Sequence, residues 1–397
     1  MASLSKCSVR PMNDKYLVTL IGPLPPIKSI SPYCKDLLIA LSKYTNVEHV
    51  GFKKLYPDML FPGGSITESE KQSCTYDYGT TRIRNLLTYY NPFSWIWAGI
   101  TIKGDVVHAQ WWSHMLALEY MVILALCKLR GKKIVITVHN VVPHENNIVN
   151  MLLNRSVLIF GDAFIVHSNR NVDELHSLLK IPKDRIYRIP IGVPSHYKGE
   201  EVSQRSAREK LDLPNDKKVL LFFGNIREYK GLDILLEAFA QVFEKRNDVI
   251  LVIAGKPWIR WEPFEEIIKK NGMEQNIKLF LDFIPTEMMK YFYISADLVI
   301  LPYKEFTSQS AVAADAVAFT KPLIITDVGG LSEYVLDKRC VIEPNNPEAL
   351  AEGILSLFET EGLLPKLSLD SKKLAESFSW DAIAQDTVLL YKKLKGV

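Results

Sequence analysis

Short apolar runs recur along the chain, each closed by a glycine or a polar turn and followed by a longer amphipathic stretch. KYLVTLIG (15–22) has the continuous apolar character of a buried parallel strand and ends on Gly22; SPYCKDLLIALSKY after it reads as a helix with a Ser-Pro start. NVEHVGF, DVVHAQ (105–110), KIVITVHN (133–140), AFIVHS (163–168) and IYRIPIGV continue the strands, with helices running to Arg130 and over NVDELHSLL. Residues 195–215 are polar, lack a strand and read as a hinge. A second series follows: KKVLLFFG (217–224), a helix over 231–245, DVILVIAG (248–255), a helix over 263–271, IKLFLDF (277–283), ADLVILPY (296–303), a helix after Ser310, and PLIITD (322–327). Strand–helix alternation of this kind predicts an α/β chain of two doubly wound parallel halves, with a cleft between them and ligands beyond the C-terminal ends of the strands.

Composition narrows the class. With 397 residues, 48% of them hydrophobic and 23% charged, the chain is long enough for two folded domains. A net charge of +3 is too small to point to nucleic acid. One local basic run, CKLRGKK (127–133), suits either an anionic lipid surface or an ordinary solvated helix end. The start MASLSKCSVRPMNDK has no apolar core and does not read as a signal peptide, and Met115–Leu129 carries Glu119 and is too short for a membrane span. Five cysteines, odd in number and without a CxxC pair, read as reduced thiols of a cytosolic protein.

Three segments carry candidate chemistry. In FFGNIREYKG (222–231), Gly224 permits a tight turn after a strand, and Arg227 and Lys230 follow at the strand end, a fork and a point charge suited to a diphosphate. In TVHNVVPHE (137–145), His139 stands at the end of a buried run, with His144 and Glu145 beyond it. In EFTSQSAVAADAVAFTKP (305–322), Thr307, Ser308 and Ser310 are good helix N-caps, and the helix they open is a ready anion site. Asp315 lies inside that Ala/Val helix, where a carboxylate is costly unless it meets solvent or a ligand. DVGGLSEYV (327–335) adds a Gly329-Gly330 turn and Glu333 in a following helix. No D-x-D pair of the kind that holds a divalent cation occurs.

Together these segments resemble the retaining nucleotide-sugar glycosyltransferases of family 4, which have the GT-B fold; the resemblance covers nearly the whole chain and is strongest over 217–335. It implies that Arg227 and Lys230 bind the donor diphosphate. It places Asp315 where the family's second Glu meets the ribose, one methylene shorter, and puts His139 beside the transferred sugar. The family's first Glu would fall at Thr307, with Glu305 as the other candidate. TSQSAV brings Ser308, Gln309 and backbone amides toward sugar and phosphates. IPIGV (189–193) resembles the segment leading into the interdomain linker. Where many members have a Gly-Gly pair after the first strand, only Gly22 is present, with Ser29 and Ser31 near that place.

The expected organisation is an acceptor-side Rossmann-like domain over 15–194, a donor domain over 216–377, and a helix over 378–397 crossing back to the first domain. The expected activity is metal-independent, retaining hexosyl transfer from a nucleoside-diphosphate sugar to a glycan or lipid-linked glycan, in cell-surface, exopolysaccharide or glycoconjugate biosynthesis. No resident cofactor is expected. His139, Arg227 and Lys230 are the catalytic candidates; Gly224, Arg227, Lys230, Thr307, Ser308, Gln309, Ser310, Asp315 and Glu333 are the donor-binding ones. The aromatic stretches TYYNPFSWIWAG (88–99) and QWW (110–112) suit core packing, sugar stacking or a membrane interface. The reading places the protein in the cytoplasm and allows a peripheral contact at the inner face of a membrane. Alternatives are a non-enzymatic partner of another glycosyltransferase and a nucleotide-sugar epimerase.

Overall fold

A computed structural model of the chain describes residues 16–27, 30–55, 78–141, 148–193, 202–306 and 309–396. The chain divides into two compact units, Met1–Gly192 with Trp380–Val397, and Val193–Ser379.

The first unit contains β1 (Leu17–Ile21), α1 (Ser31–Leu41), β2 (Asn46–Lys54), β3 (Arg82–Thr88), α2 (Pro92–Thr101), β4 (Val106–Trp111), α3 (Ala117–Leu129), β5 (Lys133–Val138), α4 (Ile148–Leu158), β6 (Ala163–Val166), α5 (Asn169–Leu179) and β7 (Ile186–Arg188). The second contains α6 (Gln204–Lys210), β8 (Lys218–Phe223), α7 (Leu232–Lys245), β9 (Val249–Ala254), α8 (Glu262–Lys270), β10 (Ile277–Phe280), α9 (Thr286–Ser295), β11 (Leu298–Leu301), α10 (Ala311–Ala318), β12 (Leu323–Thr326), β13 (Val341–Ile342), α11 (Pro347–Glu359) and α12 (Leu363–Ser377); α13 (Trp380–Lys395) belongs to the first.

Each unit is built on one parallel sheet, ordered β3-β2-β1-β4-β5-β6-β7 in the first and β10-β9-β8-β11-β12-β13 in the second. Helices cover both faces, which is why most central strands read as nearly continuous apolar runs, β4 with its buried His108 and Gln110 being the exception. In β5, Ile134, Ile136 and Val138 enter the core with α2–α5, while Val135 enters the opposite layer with α1 and α13. Both sheets reverse their strand order at the first strand of the unit, and such switch points direct ligands to the C-terminal strand ends. The α/β fold class read from the pattern is the one observed.

Several elements differ from their expected form. The edge strand β3 was not anticipated: RIRNLLT pairs with β2 but buries only Leu87 and Thr88, so it lacks an apolar run. The following aromatic stretch is helix α2, opened by Asn91, whose side chain accepts from the Phe93 amide, and by Pro92 in its first turn. IYRIPIGV is a strand for three residues only, because Pro190 has no amide proton for the ladder. The polar stretch 195–215 is not all linker. Ser203 caps α6, and Arg208 within it is buried, ion-paired with Asp297 at 2.8 Å and donating to the Ser295, Asn215 and Lys217 carbonyls.

Candidate active site

In the second unit, the loops after β8 and β9 run side by side. The Ile226 amide donates to the Lys256 carbonyl and the Trp258 amide to the Ile226 carbonyl, both at 2.9 Å. Gly224 and Gly255, both with positive φ, approach so closely that a Cβ on Gly255 would overlap the Gly224 carbonyl. This pairing sets the Arg227 guanidinium over the exposed Trp258 indole, 4.1 Å from the ring centroid. Lys230 turns the other way. Its side chain is buried, and a Cβ on Gly224 would sit 2.7 Å from its ammonium. The Tyr303 ring lies 5.8 Å away. Among the described residues no carboxylate forms an ion pair with Lys230. Burial, then the Arg227 charge, pull its pKa down from 10.5 to about 8.

Helix α10 reaches this corner with its N-terminus. Ser310 accepts from the Ala313 amide at 3.3 Å and shares a 3.3 Å hydrogen bond with the Tyr303 hydroxyl. Val312, in the first turn, would lie 3.2 Å from a Gly224 Cβ, so Gly224, Lys230 and the start of α10 form one cluster. Two turns of the same helix carry Asp315, which is buried. Burial, then the charges of Glu333 and of Asp315, push up the pKa of the Tyr334 phenol. That phenol donates to the Gln309 amide oxygen at 3.3 Å. Gln309, Asp315, Glu333 and Tyr334 are thereby neighbours. Glu333 lies in a single 3-10 turn, Leu331–Tyr334, rather than in a longer helix: the chain is extended again at Val335. Gly329, at φ 57°, packs its turn against the Phe306 carbonyl. Glu305 is exposed. Thr307 and Ser308 lie outside the described residues, as do Ser29, His144 and Glu145.

In the first unit, His139 follows β5 and belongs to a buried polar chain. His167 Nδ1 lies 2.9 Å from the Ile189 carbonyl, which can only accept, so that nitrogen is protonated. Burial holds the His167 pKa near 4, so the ring is neutral and its Nε2 accepts from His139 Nδ1 at 3.3 Å. His139, lowered by burial and then by His167 and His108, is also neutral, with a bare Nε2. The Gln110 amide faces that nitrogen with its oxygen at 2.9 Å and His108 Nε2 with its nitrogen at 3.2 Å. Two acceptors would then oppose each other, so the amide satisfies the chain with its ends exchanged. His108 continues to Thr137 (2.7 Å) and to the Tyr391 hydroxyl (2.6 Å). Tyr33, at the start of α1, sets its ring edge-on to His139 at 4.8 Å. Ser31 is buried beside it in the chain. Both nitrogens of His139 are engaged, so a sugar hydroxyl would share or displace one of these bonds.

Trp258, Tyr303, Tyr334, Gln110 and His167 were not singled out from the sequence. Only the run NVVPHE after His139 hinted at a polar loop, and nothing marked His167, 28 residues further on. A cavity of about 440 Å³ in the second unit, lined by Lys218, Asp297, Lys321 and Phe358 among others, lies at the N-terminal strand ends, and none of the candidate residues lines it.

Known proteins match both units. Residues 203–374 match the model for glycosyl transferases group 1, and residues 71–196 that for glycosyltransferase family 4. An uncharacterized glycosyltransferase of Methanocaldococcus jannaschii is 29% identical over 55% of this chain and 57% of its own length, so the chain spans little more than half of that relative. A D-inositol 3-phosphate glycosyltransferase of Corynebacterium urealyticum is 25% identical over 74% of this chain and 72% of its own. Among solved structures, a glycosyltransferase of Rickettsia africae superposes with a TM-score of 0.69 at 20% identity, covering 96% of this chain and 99% of the other. Anabaena HepE, in complex with UDP, does so at 0.70 and 15% identity, covering 95% and 100%. With the sheet order and both family models in agreement, the chain belongs to the family 4, group 1 glycosyltransferases and has their GT-B fold.

Proposed function

We propose that the protein transfers a sugar, with retention and without a metal ion, from a nucleoside-diphosphate sugar to a hydroxyl of a glycan or lipid-linked glycan. The observation that carries this reading is Lys230: a buried ammonium with no carboxylate ion pair among the described residues, beside Gly224 and the N-terminus of α10. A leaving diphosphate is an anion of the size and charge that such a site lacks. Arg227, held over Trp258, adds a forked donor to the same group in this reading. Asp315, near Tyr334 and Glu333, takes the ribose hydroxyls in this reading, and Gln309 and Ser310 take polar atoms of the donor. His139 takes a polar contact with the transferring sugar as a neutral hydrogen-bonding ring, not as a base. The reading assigns the product to cell-surface, exopolysaccharide or other glycoconjugate synthesis, at the cytoplasmic side of a membrane.

The test is a thermal-shift panel of UDP, GDP, ADP and their sugars, followed by transfer assays on the donor that binds. At a hundred times its dissociation constant the true donor should stabilise the protein by about 2.7 kcal/mol. Transfer should survive EDTA with the anomeric configuration kept. No shift with any nucleotide would overturn the donor reading, and activity that vanishes with chelator and returns with magnesium or manganese would overturn the metal-free one.

A further inference from the structure

Helix α2 is apolar apart from Ser94 and Thr101, whose hydroxyls are hydrogen-bonded, yet only one side of it is covered. Ala98 and Gly99 are buried against α3, and a Cβ on Gly99 would sit 2.8 Å from Leu126. Trp95 packs on the same core, its indole donating to the Thr88 carbonyl at 2.8 Å. On the opposite side, at helical spacing, Phe93, Ile96, Trp97 and Ile100 are 79%, 41%, 61% and 51% exposed. A helix with apolar residues on every side is ordinarily buried, and an exposed aromatic stripe of this kind marks a contact surface. The neighbouring helices extend it: α3 exposes Leu118 and, at its C-terminal end, Leu129, and α4 exposes Leu152.

Charge indicates what covers it. At the C-terminal ends of α2 and α3 stand Lys103, Lys128, Arg130, Lys132 and Lys133. They are knit to the helices there: Arg130 donates to the Gly99 and Ile102 carbonyls at 2.9 Å each, and Lys132 to the Lys103 carbonyl at 3.0 Å. Three carboxylates are nearby. Glu48 is buried, accepts from the Lys103 amide at 2.8 Å and from the Thr19 hydroxyl at 2.7 Å, and lies 3.5 Å from Arg84. Asp162 pairs with Lys128 at 2.7 Å and accepts from the Ile134 amide; Asp105 accepts from the Leu17 amide and lies 3.9 Å from Lys395. Within α2, α3 and α4 the described carboxylates reduce to Glu119, which is buried. A second copy docked face to face would oppose one basic rim to another, and lysine is depleted from the cores of protein interfaces. Phe and Trp beside a basic rim are the composition of a surface that lies on an anionic bilayer.

We propose that the outer face of α2 and α3 docks the protein on an anionic lipid bilayer, with Phe93 and Trp97 entering the acyl boundary and the lysines meeting phosphate headgroups. The proposal is independent of the transfer reading, since docking needs no nucleotide. The experiment is flotation of the full chain with vesicles of phosphatidylcholine alone and of phosphatidylcholine mixed with phosphatidylglycerol. The protein should float with the mixed vesicles only and release in high salt. Phe93→Ser with Trp97→Ser should lower the partition at least about tenfold. Lys103→Glu with Lys133→Glu should lower it at least about fivefold for each charge lost. Because all four residues are exposed, their variants should keep the wild-type melting curve; Leu369→Ser, exposed on α12, should float like wild type. Failure of the wild type to float with mixed vesicles, or flotation of either double variant at the wild-type level, would overturn the proposal. So would a change from dimer to monomer on Trp97→Ser with flotation intact, which would give the face to a second copy.

Discussion

Lys230 makes the sharpest claim on the donor site, because its burial has to show in stability before any substrate is present. Removal from water lowers its pKa from 10.5 to about 8, a penalty on the order of 3 kcal/mol for holding the charge in the folded state. Below about pH 8 the ammonium is charged in folded and unfolded chain alike, and the whole penalty is present. Between about pH 8 and 10.5 the unfolded chain still holds a proton that the folded chain has released, so stability rises with pH across that window. Lys230→Met keeps an unbranched stem against Tyr303 and removes the charge. It should therefore stabilise the free protein near neutral pH, with a thermal midpoint raised by roughly 5–10 °C for a unit of this size, and the gain should vanish above the ordinary lysine pKa. Nucleotide should show the reverse. A diphosphate supplies a counter-charge that no described carboxylate gives, so wild-type affinity should fall as pH rises through about 8, and the methionine variant should bind weakly at every pH. Differential scanning fluorimetry across that range, with and without UDP, GDP and ADP, reads both effects. A Lys230→Met protein less stable than wild type near neutral pH, or a nucleotide affinity flat across the window, would refute the reasoning.

Other consequences can be checked in the same preparations. Trp258→Ala removes the ring under Arg227 and should weaken nucleotide binding by roughly 0.5–2 kcal/mol without loss of fold; unchanged affinity by calorimetry would remove Arg227 from the diphosphate. Asp315→Asn should cost roughly 1.5–3 kcal/mol of nucleotide affinity, and a variant that binds every nucleotide as wild type does would end the ribose assignment. His139→Ala should lower turnover far more than nucleotide affinity, with circular dichroism as the folding control; equal turnover would leave His139 a purely structural member of its chain. Burial holds His49, His108 and His167 at pKa values of about 4, 3 and 4, below the unfolded value of 6.5. Their contribution is complete above that value and is lost as pH falls through the window, at about 1.4 kcal/mol per pH unit for each group, so the first unit should melt at mildly acid pH; a tryptophan-fluorescence midpoint constant down to about pH 5 would contradict this.

The fold was legible wherever a strand is buried on both faces. β8 and β9 have no solvent side, so each is an apolar run that stands out without knowledge of its neighbours; β4 and β5 are as buried but are broken by His108, Gln110 and Thr137, which join a buried polar chain. Edge elements lack that mark. β3 is half polar because one of its sides has no strand, and β13 is two residues long because pairing with β12 is all that defines it. Helix α2 was obscured for the opposite reason. Its aromatic and aliphatic content, broken only by Ser94 and Thr101, has no 3.6-residue alternation, so neither its helical state nor the direction of its exposed side could be read. The aromatics suited core packing, but Phe93 and Trp97 lie outside the core.

The candidate site was legible to the extent that its residues follow one strand. Gly224, Arg227 and Lys230 fall on a single turn, and Ser310 and Asp315 on a single short helix, so their grouping needs only local geometry. What surrounds them comes from parallel pairing between distant segments. Trp258 reaches Arg227 because two strand-end loops are zipped together at Ile226 and Lys256, and Tyr334 reaches Gln309 across 25 residues. The same holds for His139, whose tautomer is dictated by His167 and, through it, by the Ile189 carbonyl at the end of another strand. Parallel sheets bring the ends of successive strands together while keeping them far apart in the chain, so they gather functional side chains by topology rather than by spacing. A motif reports the residues that meet the ligand; the groups that set their charge, such as the surroundings of Lys230, without a carboxylate ion pair among the described residues, or the neutral chain behind His139, emerge only when the strands are in register. Those groups decide the pH behaviour, which is why stability and affinity as functions of pH discriminate this site better than loss of activity on mutation of its motif residues.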